Sequence, residues 1–213
     1  MRIALIGATG FVGSHILNEA LGRKHEVTAI VRRTERLPVH GGLIAKKGDV
    51  LDVDELAGLL AGHEAVIASY NADKDAPDVY EAMIAGAKAI IAATKKSGVK
   101  RLLVVGGAGS LEIAPGQQVI DQPDFPAEWK AGASGTRQFL YLLREEPDLD
   151  WTFLSPAAML QPGERTEKFR LGGDQMLEDA EGQCRISLQD YAVAMIDELE
   201  EPRHIRRRFC VAY

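Results

Sequence analysis

Three glycines, Gly7, Gly10 and Gly13, follow directly on the apolar run Ile3–Ile6. A run of that kind forms a strand covered on both faces. Val12, Ile16, Leu17, Ala20 and Leu21 then fall on one helical stripe, with Gly22 as its stop. Strand, glycine-rich turn and helix together make a cradle for a dinucleotide pyrophosphate. Gly7 permits the tight turn, Gly10 lets backbone approach phosphate, and Gly13 lets helix and strand pack closely. The helix start supplies unpaired N–H groups and a partial positive charge. Ala8, Thr9, Phe11 and Val12 complete the candidate phosphate loop. An ordinary βα turn has the same glycines, but this one follows an apolar strand and precedes a second.

Which dinucleotide is a question of charge. The second strand, Glu26–Val31, runs into Arg32 and Arg33, and Arg32 lies 19 positions after Gly13. Selection of NAD calls for an acidic residue about 20 positions on, accepting from the ribose 2′-OH. A guanidinium cannot accept; it pairs with a 2′-phosphate and stacks on adenine. The expectation is therefore NADP(H) over NAD(H), with Arg32 ahead of Arg33; two solvated surface arginines are the alternative.

The elements that must position these residues alternate along the chain. Strand patterns occupy 43–47, 65–69, 100–105, 151–154 and 209–212. Helical patterns occupy 53–61, 79–97 and 127–145, with Asp52 as an N-cap, and a Ser187/Asp190 capping box opens a helix to Leu199. Strands separated by helices predict an α/β fold, a doubly wound parallel sheet of Rossmann type. The whole of residues 1–213 reads as a single NAD(P)-binding domain, with 157–213 contributing a small substrate-side region. The polar, irregular stretch 161–183 is expected to cap the substrate pocket.

Ligands on such sheets sit at the carboxyl ends of the strands. Asp49 and Val50, after the third strand, are candidates for adenine; the carboxylate equally suits a helix entry. Ala68, Ser69 and Tyr70 end the fourth strand near the expected ribose and pyrophosphate. Gly106 and Gly107, leading to Ser110, belong beside the nicotinamide ribose, and Pro156, Ala157 and Ala158 beside its carboxamide.

A formal charge of −6 argues against a general nucleic-acid binder. Arg203, Arg206, Arg207 and Arg208 read as a solvated turn. No run is long enough to cross a membrane, and the chain opens on a core strand rather than a leader. Two cysteines without ligand spacing read as free thiols of a cytoplasmic protein, and the five histidines form no metal set.

Gly-Ala-Thr-Gly-Phe-Val-Gly at 7–13, Gly-Asp-Val at 48–50, Gly-Val-Lys-Arg-Leu-Leu-Val-Val-Gly-Gly-Ala-Gly-Ser at 98–110 and Asp-Trp-Thr-Phe-Leu-Ser-Pro at 150–156 occur in order. With these motifs the chain resembles the atypical short-chain dehydrogenase/reductase group of NmrA-like proteins, biliverdin-IX beta/flavin reductases and NADH-flavin reductase-like proteins. The resemblance implies the Rossmann fold and a nicotinamide cofactor. It also implies a Tyr-x-x-x-Lys pair near 131–137, where this chain has Ala-Gly-Ala-Ser-Gly-Thr-Arg. Tyr70 and Lys74 have that spacing but follow the fourth strand, and read as a decoy. Lys130 is a stand-in for a ribose or phosphate contact, or simply exposed. Ser110 is the one hydroxyl expected at the nicotinamide, as an orienting catalytic donor; a turn hydroxyl is the alternative.

Loss of the tyrosine removes general-acid help of about 10²–10⁴-fold. A flavin, quinone or similar conjugated acceptor suffers least from that loss. The expectation is an oxidoreductase of that kind, acting as monomer or homodimer on a small-molecule acceptor. An NmrA-like redox sensor without turnover is the alternative, and a sugar epimerase or dehydratase a weaker one.

Overall fold

The computed structural model describes residues 1–73 and 75–213. In chain order the elements begin β1 (Arg2–Ile6), α1 (Gly13–Gly22), β2 (Glu26–Val31), β3 (Leu43–Lys47), α2 (Val53–Leu60), β4 (Ala65–Ala68), α3 (Val79–Ser97) and β5 (Arg101–Val105). Then come β6 (Glu112–Ala114), β7 (Gln117–Gln118), α4 (Ala127–Arg144), β8 (Asp150–Ser155) and β9 (Met159–Gln161). The chain ends with β10 (Arg170–Gly172), β11 (Arg185–Ser187), α5 (Leu188–Glu200) and β12 (Arg207–Ala212).

Eight strands form one sheet in the order β10-β12-β8-β5-β4-β1-β2-β3. All neighbours are parallel except β10, which runs antiparallel to β12 at the edge. The β1, β4 and β5 sequences are near-continuously apolar because helices cover both faces. One face packs α1 and α5, where Ile16, Leu17, Tyr191 and Met195 meet Ile3, Leu5 and Phe209. The opposite face packs α2, α3 and α4, where Leu56, Ile90, Phe139 and Leu140 meet Ala4, Ile6, Leu102 and Phe153. This is a single α/β domain of Rossmann type.

Strand order reverses between β1 and β4, because the chain runs outward through β2 and β3 before returning. That reversal leaves a crevice at the carboxyl ends of both strands. Three helices that flank it are capped by side chains: Asp52 Oδ1 accepts from Glu55 N, Asp78 Oδ1 from Glu81 N, and Ser187 Oγ from Asp190 N. The expected reciprocal half of the Ser187/Asp190 box is not made. Asp190 instead accepts from Thr166 N, Glu167 N and the Tyr213 hydroxyl, tying 166–167 and the C-terminus to α5. Among the described residues no helix is long and apolar enough to cross a membrane, and no His/Cys/Asp/Glu group forms a metal set.

Residues 161–183 do not behave as the expected lid. Their backbone supplies β10 to the sheet edge, and of this segment Met176 alone lines the crevice. Hydrogen bonding explains the difference: an edge strand satisfies backbone groups that a loose lid would leave to water.

Candidate functional site

α1, like α4 at Pro126, starts without a side-chain cap. Val12 occupies its N-cap without a side-chain hydrogen bond. Gly10 N donates to Gly7 O at 3.0 Å and Ser14 N to Gly10 O at 3.0 Å. Among the described residues, the N–H groups of Phe11, Val12 and Gly13 donate to nothing in the protein. Four orphan donors are normal at a helix start, and side chains usually satisfy some of them. Here they face an open crevice, which makes them an anion cradle.

The glycines divide the labour as their surroundings require. Gly7 has φ +79°, and a Cβ there would stand 2.2 Å from Ser69 O. A Cβ on Gly13 would stand 2.1 Å from Gly7 O. Both positions therefore fix the close packing of loop, β4 end and helix. Gly10 has only Gly7 O near it, at 3.2 Å, and otherwise opens to the crevice. Ala8 is buried beneath the loop and Thr9 is exposed on it.

The crevice opens into a cleft of about 1020 Å³. One side is Gly10, Phe11 and Val12; the floor is Ser69, Tyr70 and the Val105–Gly109 turn. The opposite wall comes from Ile113, Val119, Gln122, Asp124, Phe125 and Pro126, and then from α4 through Glu128, Trp129, Ala131, Gly132, Ala133 and Thr136. Phe11 is 62% and Trp129 63% exposed, so two large rings face open space within one cleft. Thr136 Oγ1 donates back to Gly132 O at 3.0 Å, leaving its methyl toward Gly107. Beyond Glu128 and Trp129 in its first turn, the face of α4 turned to the cleft thus offers small groups and no tyrosine.

Tyr70 is held by structure. Its ring fills the space over Gly86 of α3, where an added Cβ would meet it at 2.2 Å. Its hydroxyl donates to Ala82 O at 3.1 Å, and burial pushes the phenol above its ordinary range. Lys74, its formal partner, lies outside the described residues. Ala68 is wholly buried, so of the β4 end Ser69 and Tyr70 reach the cleft.

At the other end of the site, Arg32 Nη1 meets Asp73 Oδ2 at 3.3 Å across an exposed gap. Arg32 and Asp49 both act on the Tyr70 phenol, in opposite senses, so the three groups share one neighbourhood. Asp49 Oδ1 accepts from Leu51 N at 3.0 Å in a turn, and Val50 packs partly on the core. Arg33 is exposed and opens a short 3₁₀ turn.

Four expectations require correction. Ser110 is 3% exposed and does not line the cleft. Its carbonyl and hydroxyl lie against Arg208 Nη1 at 3.3 and 3.5 Å, and Arg208 is itself paired with Asp174. The hydroxyl is a tether for the 106–110 turn, and Arg208 is no part of a solvated turn. Lys130 lines a separate groove with Tyr80, Ser134 and Tyr141, because helical geometry turns it away from Gly132 and Thr136. Pro156 and Ala157 are buried, and it is Ala158 that reaches the cleft. Gly106 and Gly107 do line it; Gly106 N donates to Leu154 O at 2.8 Å, and a Cβ there would strike the Phe153 ring.

The wall from 113 to 129 was missed in the sequence because its apolar residues are isolated and follow no period. The available signal was Phe125 between Pro123 and Pro126, with Trp129 close behind, in a long connection.

A family model described as NAD(P)H-binding matches residues 7–202. The Bacillus subtilis protein YwnB is 40% identical over 99% of this chain and 98% of its own length. A solved Bacteroides thetaiotaomicron structure, named a "putative epimerase", is 46% identical with a TM-score of 0.94, covering 100% of this chain and 96% of that one. A Streptococcus pneumoniae structure named a "putative NADH-flavin reductase" is 35% identical with a TM-score of 0.86, covering 100% of this chain and 99% of that one. The uncapped glycine loop, the strand order and these matches agree: the chain belongs to the NAD(P)H-binding family, within the atypical short-chain dehydrogenase/reductase group.

Proposed function

We propose that this protein is an NADP(H)-dependent reductase of a flat, conjugated acceptor such as a flavin or quinone. The observation that carries this reading is the pairing of two features in one cleft. An anion cradle of unpaired N–H groups at Phe11–Gly13 stands beside a space walled by Phe11, Trp129 and the small residues of α4. The loop N–H groups would hold the pyrophosphate, and Arg32 would exchange Asp73 for the 2′-phosphate. When bound, the nicotinamide supplies the hydride. The chain's own contribution is to hold two planar groups together and to exclude water from between them. Among the described residues Tyr70 is the one tyrosine lining the cleft, and its hydroxyl already donates to Ala82 O. An acceptor that stabilises added charge over a ring system does not need a protein proton donor.

The Streptococcus pneumoniae relative's name supports this acceptor class, and the Bacteroides relative's name points instead to an epimerase. The missing proton donor on α4 favours the former. The tests are NADPH oxidation over a panel of flavins and quinones, and product analysis after incubation with sugar nucleotides, because epimerisation and dehydration consume no net reductant. Turnover with flavins or quinones alone is expected. Turnover of sugar nucleotides, or tight NADPH binding with no turnover at all, would replace this reading with an epimerase or a redox sensor.

A further inference from the structure

We propose that the acceptor end of the cleft selects against anions, so that its substrate is an uncharged planar acceptor: a flavin lacking phosphate, or a neutral quinone. This rests on the reductase reading above and narrows it. Apolar rings supply the attraction, because Phe11 and Trp129 remain more than half exposed while lining the same cleft. Exposed aromatic surface inside a concavity marks a place where a ring is meant to stack.

Charge supplies the selection. The ionisable side chains lining the cleft are Tyr70, Asp124 and Glu128, and among the described residues no Lys, Arg or His lines it. Among the described residues no hydrogen bond or ion pair reaches the side chain of Asp124 or Glu128, so neither negative charge is compensated within the protein. The nearest cations of α4 are turned elsewhere. Lys130 faces the neighbouring groove, and Arg137 is bound to Asp121 at 2.9 Å. Recognition of a phosphate calls for a guanidinium, an ammonium or a free helix start. α4 does begin at this wall and its N-cap Pro126 makes no side-chain bond, but the negative charge of Glu128 in its first turn, with Asp124 just before it, opposes a second anion there. A terminal phosphate on an acceptor would therefore meet two carboxylates and no cation. The diphosphate of a sugar nucleotide would meet the same.

Riboflavin and FMN differ by that phosphate alone. Their binding to the NADP⁺-loaded protein, followed by quenching of flavin fluorescence, separates affinity from turnover. Two like charges facing a phosphate within a Debye length should make riboflavin bind about tenfold tighter than FMN at low salt. The Asp124→Asn/Glu128→Gln variant should bring the ratio to within about twofold, and so should raised salt, because screening acts on the same term. FMN binding as tightly as riboflavin, no measurable riboflavin binding, or an unchanged ratio in the folded double variant would overturn the proposal. Riboflavin preference without NADPH oxidation would instead sink the reductase reading and leave the charge selection standing. Equal turnover and equal affinity for both flavins would do the reverse.

Discussion

Arg32 and Asp73 meet at 3.3 Å with both side chains more than half in solvent. An exposed pair of this kind is worth about 0–1 kcal/mol, so exchanging Asp73 for a phosphate costs little. Arg32→Ala should weaken NADPH binding by about tenfold or more, from loss of a charge-assisted bond of about 1.5–3 kcal/mol. NADH affinity should hold within about twofold. Fluorescence titration checks both, and equal NADPH and NADH affinities in the unaltered protein would contradict the assignment. Ser110 leads to the opposite kind of expectation. Its hydroxyl lies against the buried Arg208 guanidinium, so Ser110→Ala should cost about 1 kcal/mol of stability and leave turnover within a few fold. Tyr70→Phe likewise removes one bond to Ala82 O, and a thousandfold loss of turnover would restore Tyr70 as the general acid. Gly10→Val tests the cradle itself. A Cβ there would stand 3.2 Å from Gly7 O, a tight contact but far milder than the 2.1–2.2 Å clashes at Gly13 and Gly7, so the variant should fold with normal circular dichroism and fail to bind NADPH, its branched side chain standing in the phosphate path.

α4 sets the width of the cleft and depends on close approach to α3. A Cβ on Gly135 would lie 2.3 Å from Met83 Cβ, so Gly135→Ala should lower stability by about 1–3 kcal/mol, read as a fall in Tm. Elements of this length were legible in the sequence. The apolar runs read at Ile3–Ile6, Glu26–Val31 and Lys100–Val105 contain buried strands, and Asp52 and Ser187 cap the helices they precede; the Asp78 cap was missed. The glycine loop was legible because one physical need, close backbone approach, forces glycine at Gly7 and Gly13. The short strands β6, β7, β9, β10 and β11 were not, since two or three residues carry no period and form only because distant partners complete them. The same holds for Trp129 and Met176, which reach the cleft by tertiary placement. Ser110 misled because a hydroxyl after a cofactor-side strand reads alike whether it faces a ligand or, as here, a buried arginine from β12.

Around the apolar core shared by α1 and α5, charge pairs tie the first helix to the last third of the chain. Glu19 on α1 accepts from Arg165 at 2.8 Å and from Arg23 at 2.7 Å, and Arg23 reaches Asp197 and Glu200 on α5. The hydrogen bond from Arg165, with help from Arg23, holds the Glu19 carboxyl below its ordinary range despite partial burial. A carboxylate lowered in the folded state stabilises at neutral pH, and that stabilisation fades as pH falls through its folded pKa. Thermal unfolding followed from about pH 6 down to about pH 3 should therefore show a steeper loss in the unaltered protein than in Glu19→Gln. Parallel curves would mean that the α1–Arg165 tie contributes nothing.

The central claim is that a dinucleotide held by the α1 loop passes hydride to a flat acceptor bound against the 113–129 wall. A single-turnover experiment addresses it directly: protein saturated with NADPH is mixed with excess riboflavin or menadione, and the loss of NADPH absorbance is followed. The account predicts an exponential loss whose amplitude matches the bound NADPH, absent in Gly10→Val and slowed severalfold in Trp129→Ala. Full NADPH occupancy with no loss of absorbance for any uncharged flavin or quinone would contradict it.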